Sequence, residues 1–297
     1  EIKADVVVTA STGNAGAALA CMAAAVGQKA VIFAPKSAPP AKVAQLLIFG
    51  AKVILVNGTY DDAFDLAVKA ADEFGWYCRN TGYNPFTAEG KKTAAFEIWE
   101  WWIEAHRDWH KQDSPLDNHT PLSIFVSVGD GNIISGIHKG FKDLLRLGWI
   151  SNLPRIVGVQ AEGSAAIANA FRANAETITP VTATTLADSI SVDLPRDGVR
   201  AVRAARETGG TYITVSDDEI LQSIAELGRM GVFAEPAGAA AYAGLVKAAG
   251  SGVVRGEDPV LVLNTGSGLK DVRAALRSAV VEAPIIEPNL DAVKRIL

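Results

Sequence analysis

Short runs of β-branched and aliphatic residues alternate with alanine-rich stretches along almost the whole chain. This alternation constrains the fold more than any other feature. Strands are expected at residues 6–10, 30–34, 52–56, 123–128, 155–160, 212–215 and 260–264, most of them apolar without interruption. A strand that is apolar at consecutive positions must be covered on both faces, which is the pattern of a parallel sheet rather than of a half-solvated antiparallel one. Helices are expected at 14–26, 41–49, 61–74, 132–147, 217–229, 237–249 and 270–278, following most of those strands. The repeated strand–helix order predicts βαβ units and an α/β fold, in which ligands gather beyond the carboxyl ends of the strands.

One stretch breaks this rhythm. Residues 88–110 read as a single long helix carrying Trp99, Trp101, Trp102 and Trp109, and the polar, proline-containing stretch 111–121 ends it. Two lobes follow from this: a smaller one over 1–87 and a larger one over 88–297, each a mostly parallel sheet flanked by helices. The tryptophans are expected to pack against their neighbours or, on balance, at a subunit interface. Because an apolar strand begins almost at Glu1, the smaller lobe is expected to lack an N-terminal portion.

Composition removes several function classes. With 28 Lys and Arg against 33 Asp and Glu the formal charge is −5, and no basic run exceeds two residues. A nucleic-acid or acidic-membrane surface would show a basic stripe, so the expected partner is a small molecule. No apolar run is long enough to span a bilayer, and a cytoplasmic location is expected. Cys21 and Cys78, each in an apolar stretch, read as two buried free thiols.

Three strand ends need an explanation. Ser11-Thr12-Gly13-Asn14, Gly129-Asp130-Gly131-Asn132 and Thr265-Gly266-Ser267-Gly268 are all small-residue turns that open into helices. Glycine lets backbone approach a ligand closely, and a helix start offers unpaired N–H groups with a positive dipole end. One such turn is ordinary connection chemistry; three at equivalent strand ends point to a polar, anionic ligand. A dinucleotide is excluded: Gly13-Asn14-Ala15-Gly16 falls short of the six-residue glycine fingerprint, and the second strand ends in Phe33-Ala34-Pro35-Lys36 with no acid for a ribose. As plain structure, Asn14 could cap a helix, Thr265 could satisfy a strand end, and Asp130 could stabilise its turn.

These turns, taken with Ala88-Glu89-Gly90-Lys91-Lys92-Thr93-Ala94-Ala95-Phe96-Glu97-Ile98, Ala234-Glu235-Pro236-Ala237-Gly238-Ala239 and Leu263-Asn264-Thr265-Gly266-Ser267-Gly268-Leu269-Lys270-Asp271, resemble the fold type II pyridoxal-phosphate enzymes. Within that group the chain is most similar to the threonine synthases. The resemblance spans most of the chain in the expected order. It implies the tryptophan synthase β-like fold, pyridoxal 5′-phosphate as cofactor, a homodimer, and an amino-acid substrate that is phosphorylated. It also implies roles for individual residues. Asn14 would bond the cofactor's 3-oxygen, and Gly129, Asp130, Gly131 and Asn132 would surround its phosphate. Thr265 would face the pyridine nitrogen; a hydroxyl there leaves the ring a mild electron sink suited to elimination and replacement. Ser11, Thr12 and Gly13 would contact the substrate carboxylate, with Lys92 as a further substrate-binding residue. The phosphate loop is one residue shorter than the usual threonine synthase pattern. The Schiff-base lysine of the family precedes the Ser-x-Gly-Asn turn by more than Lys3 does, so it is expected upstream of Glu1.

The implied activity is a lyase converting O-phosphohomoserine and water to threonine and phosphate. The neighbouring possibilities are a serine/threonine dehydratase or a diaminopropionate ammonia-lyase, and, in another class, a non-catalytic relative that binds the cofactor or an amino acid without the lysine. Lys92, Arg196 and Lys139 are the sequence's candidates for a substrate phosphate, and nothing in the sequence chooses among them. Glu89 and Glu235 read as carboxylates at helix starts. His106 and His110, at i and i+4, read as a solvated helix face rather than a metal site, and Gly163-Ser164 lacks the frame of a nucleophile elbow.

Overall fold

In a computed structural model, which describes residues 4–105, 121–279 and 283–296, the chain forms two four-stranded sheets, every strand pairing parallel. The first sheet contains β1 (Val6–Ala10), β2 (Lys29–Pro35), β3 (Lys52–Val56) and β4 (Tyr77–Cys78), in the order β3-β2-β1-β4. Helices α1 (Asn14–Ala25), α2 (Pro40–Ile48) and α3 (Tyr60–Phe74) connect and cover it. Two helices, the short α4 (Phe86–Lys91) and the longer α5 (Thr93–Ala105), lead to the second sheet. There β5 (Ser123–Ser127), β6 (Arg155–Ala161), β7 (Thr211–Val215) and β8 (Val260–Val262) lie in the order β7-β6-β5-β8. Its helices are α6 (Asn132–Arg146), α7 (Ala166–Arg172), α8 (Gly198–Glu207), α9 (Asp217–Arg229), α10 (Pro236–Gly250) and α11 (Val272–Ser278); α12 (Leu290–Lys294) follows near the C-terminus.

The uninterrupted apolar strands are explained by what covers each face. Ile124 and Val126 of β5 pack with Ile98, Phe141 and Ile167 on one side, while Phe125 between them packs with Val157, Ile220 and Ala240 on the other. The first sheet repeats this: Val31 and Phe33 face Phe64 and Ala67 of α3, whereas Ile32 faces Ala17 of α1 and Leu46 of α2. Local signals then set the helix starts. α3 and α9 both begin with a reciprocal capping box, Thr59 with Asp62 and Ser216 with Glu219.

Several expectations need correction. The single long helix expected over 88–110 is α4 and α5, separated by one turn residue at Lys92, and both helices pack on α6; residues 106–110, with Trp109, His106 and His110, lie outside the described residues, as does Lys3. Within α5, Trp102 is buried in the larger core and Trp99 stacks on Trp149 at 4.9 Å between ring centroids, so these two pack inside the chain; Trp101 is exposed. Strand β4 is only two residues long, too short to show a period. Helices α7 and α8 lie in a stretch that carried no helical reading, because α8 buries alanines (Ala201, Ala204, Ala205) rather than large side chains. Both cysteines are free, but Cys21 is exposed and only Cys78 is buried. Among the described residues no helix is long and apolar enough to cross a membrane.

Candidate active site

The carboxyl ends of both sheets face a common cavity of about 610 Å³. The three glycine turns all reach it: Ser11, Thr12, Gly13 and Asn14 from the end of β1, Gly129 to Asn132 from the end of β5, and Thr265 from beyond β8. Residues that lie more than a hundred positions apart in the chain are thus brought to one wall by the parallel topology.

The loop after β5 is shaped to receive an anion. Gly131 caps α6 with φ +89°, a left-handed conformation that disfavours any side chain, and a Cβ there would lie 2.7 Å from Ala201 Cβ. A Cβ on Gly129 would meet Ile190 Cα at 2.9 Å. The backbone can therefore adopt this path only as glycine. The N–H groups of Asn132, Ile133 and Ile134 have no intrahelical acceptor because they open the helix, and all three residues line the cavity. Asn132 is locked in place: its amide donates to Asp197 and its carbonyl accepts from Lys91 Nζ at 2.5 Å.

Asn14 is not the helix cap: Gly13 holds that position and Asn14 is the first residue of α1. Its amide donates to the carbonyl of Thr265, and Lys270 Nζ donates to its side-chain oxygen. The first and third turns are thereby tied directly across the lobes. Burial pulls the Lys270 ammonium below its usual range, opposed by the charge of Glu235.

Asp130, the acid of the loop after β5, is paired within the chain. Its side chain turns to the smaller lobe, where Tyr60 Oη donates to Oδ2 at 2.8 Å; the Arg196 backbone N–H donates to Oδ1 at 3.2 Å. Burial pushes its pKa up to about 6, the two hydrogen bonds acting against the rise. Burial, and then the Asp130 charge, raises Tyr60 as well. Another tie joins the lobes nearby, Arg196 to Asp61 at 2.9 Å and to Asp65 at 3.1 Å.

A further tie, at Lys42, went unread in the sequence. Lys42 on α2 is buried, with its ammonium 3.0 Å from Asp188 Oδ2, 2.9 Å from Ser189 Oγ and 3.4 Å from Glu235 Oε2. Asp188, Ser189 and their neighbours up to Asp193 line the cavity, so this strap from the larger lobe closes over the smaller one and forms part of the wall. Glu235 does begin α10 as expected, but its carboxylate makes no capping bond and lines the cavity instead.

The expectation for Lys92 is corrected. It does not line the cavity; its ammonium lies 2.9 Å from Glu89 and 3.0 Å from Asp143, in a surface network that also takes Lys139. Neighbouring helical residues point about 100° apart, and it is Lys91, one position earlier, that enters the cavity wall beside Arg79. Burial, then the Arg79 charge, lowers the Lys91 pKa to about 8, and burial lowers that of Arg79.

These features fit pyridoxal phosphate: a cradle closed to any Cβ, unpaired helix-start donors able to take a phosphate, and the polar residues Asn14 and Thr265 on the same cavity wall. Comparison with known proteins agrees. The family model described as pyridoxal-phosphate dependent enzyme matches residues 1–266. The threonine synthase of Methanocaldococcus jannaschii is 38% identical over 301 residues, covering 100% of this chain and 70% of its own. That of Methanosarcina acetivorans is 36% identical over 297 residues, covering 99% and 69%. Among solved structures, diaminopropionate ammonia lyase from Escherichia coli superposes with a TM-score of 0.74 at 20% identity, covering 94% of this chain and 70% of that one, a likeness of fold. The chain belongs to the family of pyridoxal-phosphate dependent enzymes.

Proposed function

We propose that the protein is a threonine synthase, forming threonine and phosphate from O-phosphohomoserine and water by γ-elimination of phosphate and addition of water at Cβ. The observation that carries this reading is the 38% identity, along the whole of this chain, to a relative named threonine synthase.

The residues divide the work by position. The loop Gly129 to Asn132 and the first turn of α6 would hold the cofactor phosphate through backbone donors. Asn14 would bond the 3-oxygen and Thr265 the ring nitrogen. When bound, pyridoxal phosphate supplies the electron sink that makes loss of the substrate's Cα and Cβ protons accessible. Ser11, Thr12 and Gly13 would take the substrate carboxylate, with hydroxyl and backbone donors at the start of α1. Asp130, bonded to Tyr60, would act on the loop's shape and on lobe closure rather than on the anion itself. The strap at Asp188–Asp193 would keep bulk water from the reacting carbons, which matters because water must add at one carbon only. The same reading includes a homodimer.

The test is a pair of assays on the full-length product with pyridoxal phosphate. Phosphate and threonine should appear from O-phosphohomoserine in equal amounts, well ahead of ammonia from threonine or serine. Ammonia release as the faster reaction would replace the reading with a dehydratase, and release from diaminopropionate with an ammonia-lyase.

A further inference from the structure

The charged residues around the cavity are unequally matched. Each carboxylate that lines it already has a partner within the chain: Asp61 has Arg196, Asp130 has Tyr60, Asp188 and Glu235 share Lys42, and Asp193 accepts from the Ala183 N–H at 2.7 Å. The cations that line it, Arg79 and Lys91, pair with no carboxylate among the described residues. Arg79 Nη1 is buried without any acceptor, and Lys91 spends one donor on Asn132 and keeps the rest. Both also border a side chamber of about 200 Å³ whose other lining residues carry no carboxylate. A buried donor without an acceptor costs stability unless a ligand satisfies it, and in a chain of net charge −5 two unmatched cations at one wall mark an anion's place.

The candidates named from sequence are eliminated by the same accounting. Lys92 and Lys139 are held by Glu89 and Asp143, and Arg196 by Asp61 and Asp65. We propose that Arg79 and Lys91 form the subsite for the substrate's own phosphoryl group, separate from the backbone donors that hold the cofactor phosphate. This rests on the reading of the reaction given above. A phosphoryl group offers three acceptor oxygens, which matches a guanidinium fork and an ammonium converging from α4 and the end of β4. The Arg79–Lys91 pair thereby selects a phosphorylated amino acid over serine or threonine, whose hydroxyls leave the cations unpaired.

The experiment uses the full-length, cofactor-loaded protein, with inorganic phosphate as the calorimetric probe and pyridoxal phosphate affinity measured in parallel. R79Q and K91Q should each weaken phosphate binding about 10- to 100-fold and raise KM for O-phosphohomoserine similarly, as loss of a charge-assisted hydrogen bond does, while cofactor affinity stays within about 2-fold. R79K should recover part of the loss. Phosphate affinity should also fall as pH rises through about 8 in the parent and not in K91Q, Lys91 being faced there by Arg79, Asp130 and Asp197. Weakened cofactor binding, alone or together with phosphate, overturns the assignment and gives the cations to the cofactor; unchanged phosphate binding overturns it too. Thermal melts identify a variant that fails to fold, and then the other variant decides. If phosphate binds through Arg79 yet no threonine forms, the subsite stands and the reaction reading falls; if threonine forms with unchanged KM in both variants, the reverse holds.

Discussion

Replacing Lys42 with methionine tests whether the strap is held by charge. The Lys42 side chain is 3% exposed, and its ammonium sits between the side chains of Asp188, 33% exposed, and Glu235, 2% exposed. Methionine keeps the stem's volume but leaves Glu235 as a buried carboxylate without its near partner. Removing one member of a buried ion pair costs about 3–5 kcal/mol; the lower end applies because Asp188 still reaches water and the Lys270 charge still acts on Glu235. With an unfolding entropy of about 2.1 cal/mol/K per residue, a loss of about 3 kcal/mol lowers the melting temperature by about 5 °C. The double variant K42M/E235Q removes both charges, so it should lose about 2 kcal/mol less than the sum of the single changes. The assay is thermal and urea denaturation followed by circular dichroism at fixed cofactor concentration. A K42M melting temperature within about 1 °C of the parent, or strict additivity in the cycle, would refute the claim that this buried cluster ties the lobes.

Two other changes probe the loop after β5. G131A puts a Cβ into a left-handed position and 2.7 Å from Ala201 Cβ; it should cost about 2–4 kcal/mol from strain and overpacking and, by displacing Asn132, lower cofactor affinity measurably in a fluorescence titration. D130N tests the raised carboxylate. A folded pKa of about 6, above the unfolded value, means the folded state binds the extra proton, so the parent loses stability as pH rises from about 4 through about 6. That loss, about 3 kcal/mol at most, should be missing from D130N in urea melts across that range, and a parent curve that is flat there would contradict it. Y60F removes the donor to Asp130 and should destabilise by about 1–3 kcal/mol, more at pH 8 than at pH 5, because the carboxylate left without its donor is charged only at the higher pH.

The sequence by itself determined the parallel α/β architecture, because strands apolar at every position can be buried only between two helical layers, and that requirement is written residue by residue in Ile124-Phe125-Val126 and Val31-Ile32-Phe33. It also set small-residue turns at the strand ends that line the cavity, where a Cβ on Gly129 or Gly131 would meet Ile190 or Ala201. Local patterns could say nothing of which side chains meet across the lobes. Lys42 is one lysine on an amphipathic helix until the fold sets Asp188 and Glu235 against it. Asp130 reads as a turn residue until Tyr60 reaches it from seventy positions away. Lys91 and Lys92 are indistinguishable as neighbours in the sequence; the phase of α4 against α6 sends one to the cavity wall and the other to a surface ion network. Backbone conformation and burial are properties of short segments, and so are legible in them. Charge pairing depends on distances between segments, and only the packed tertiary structure fixes those.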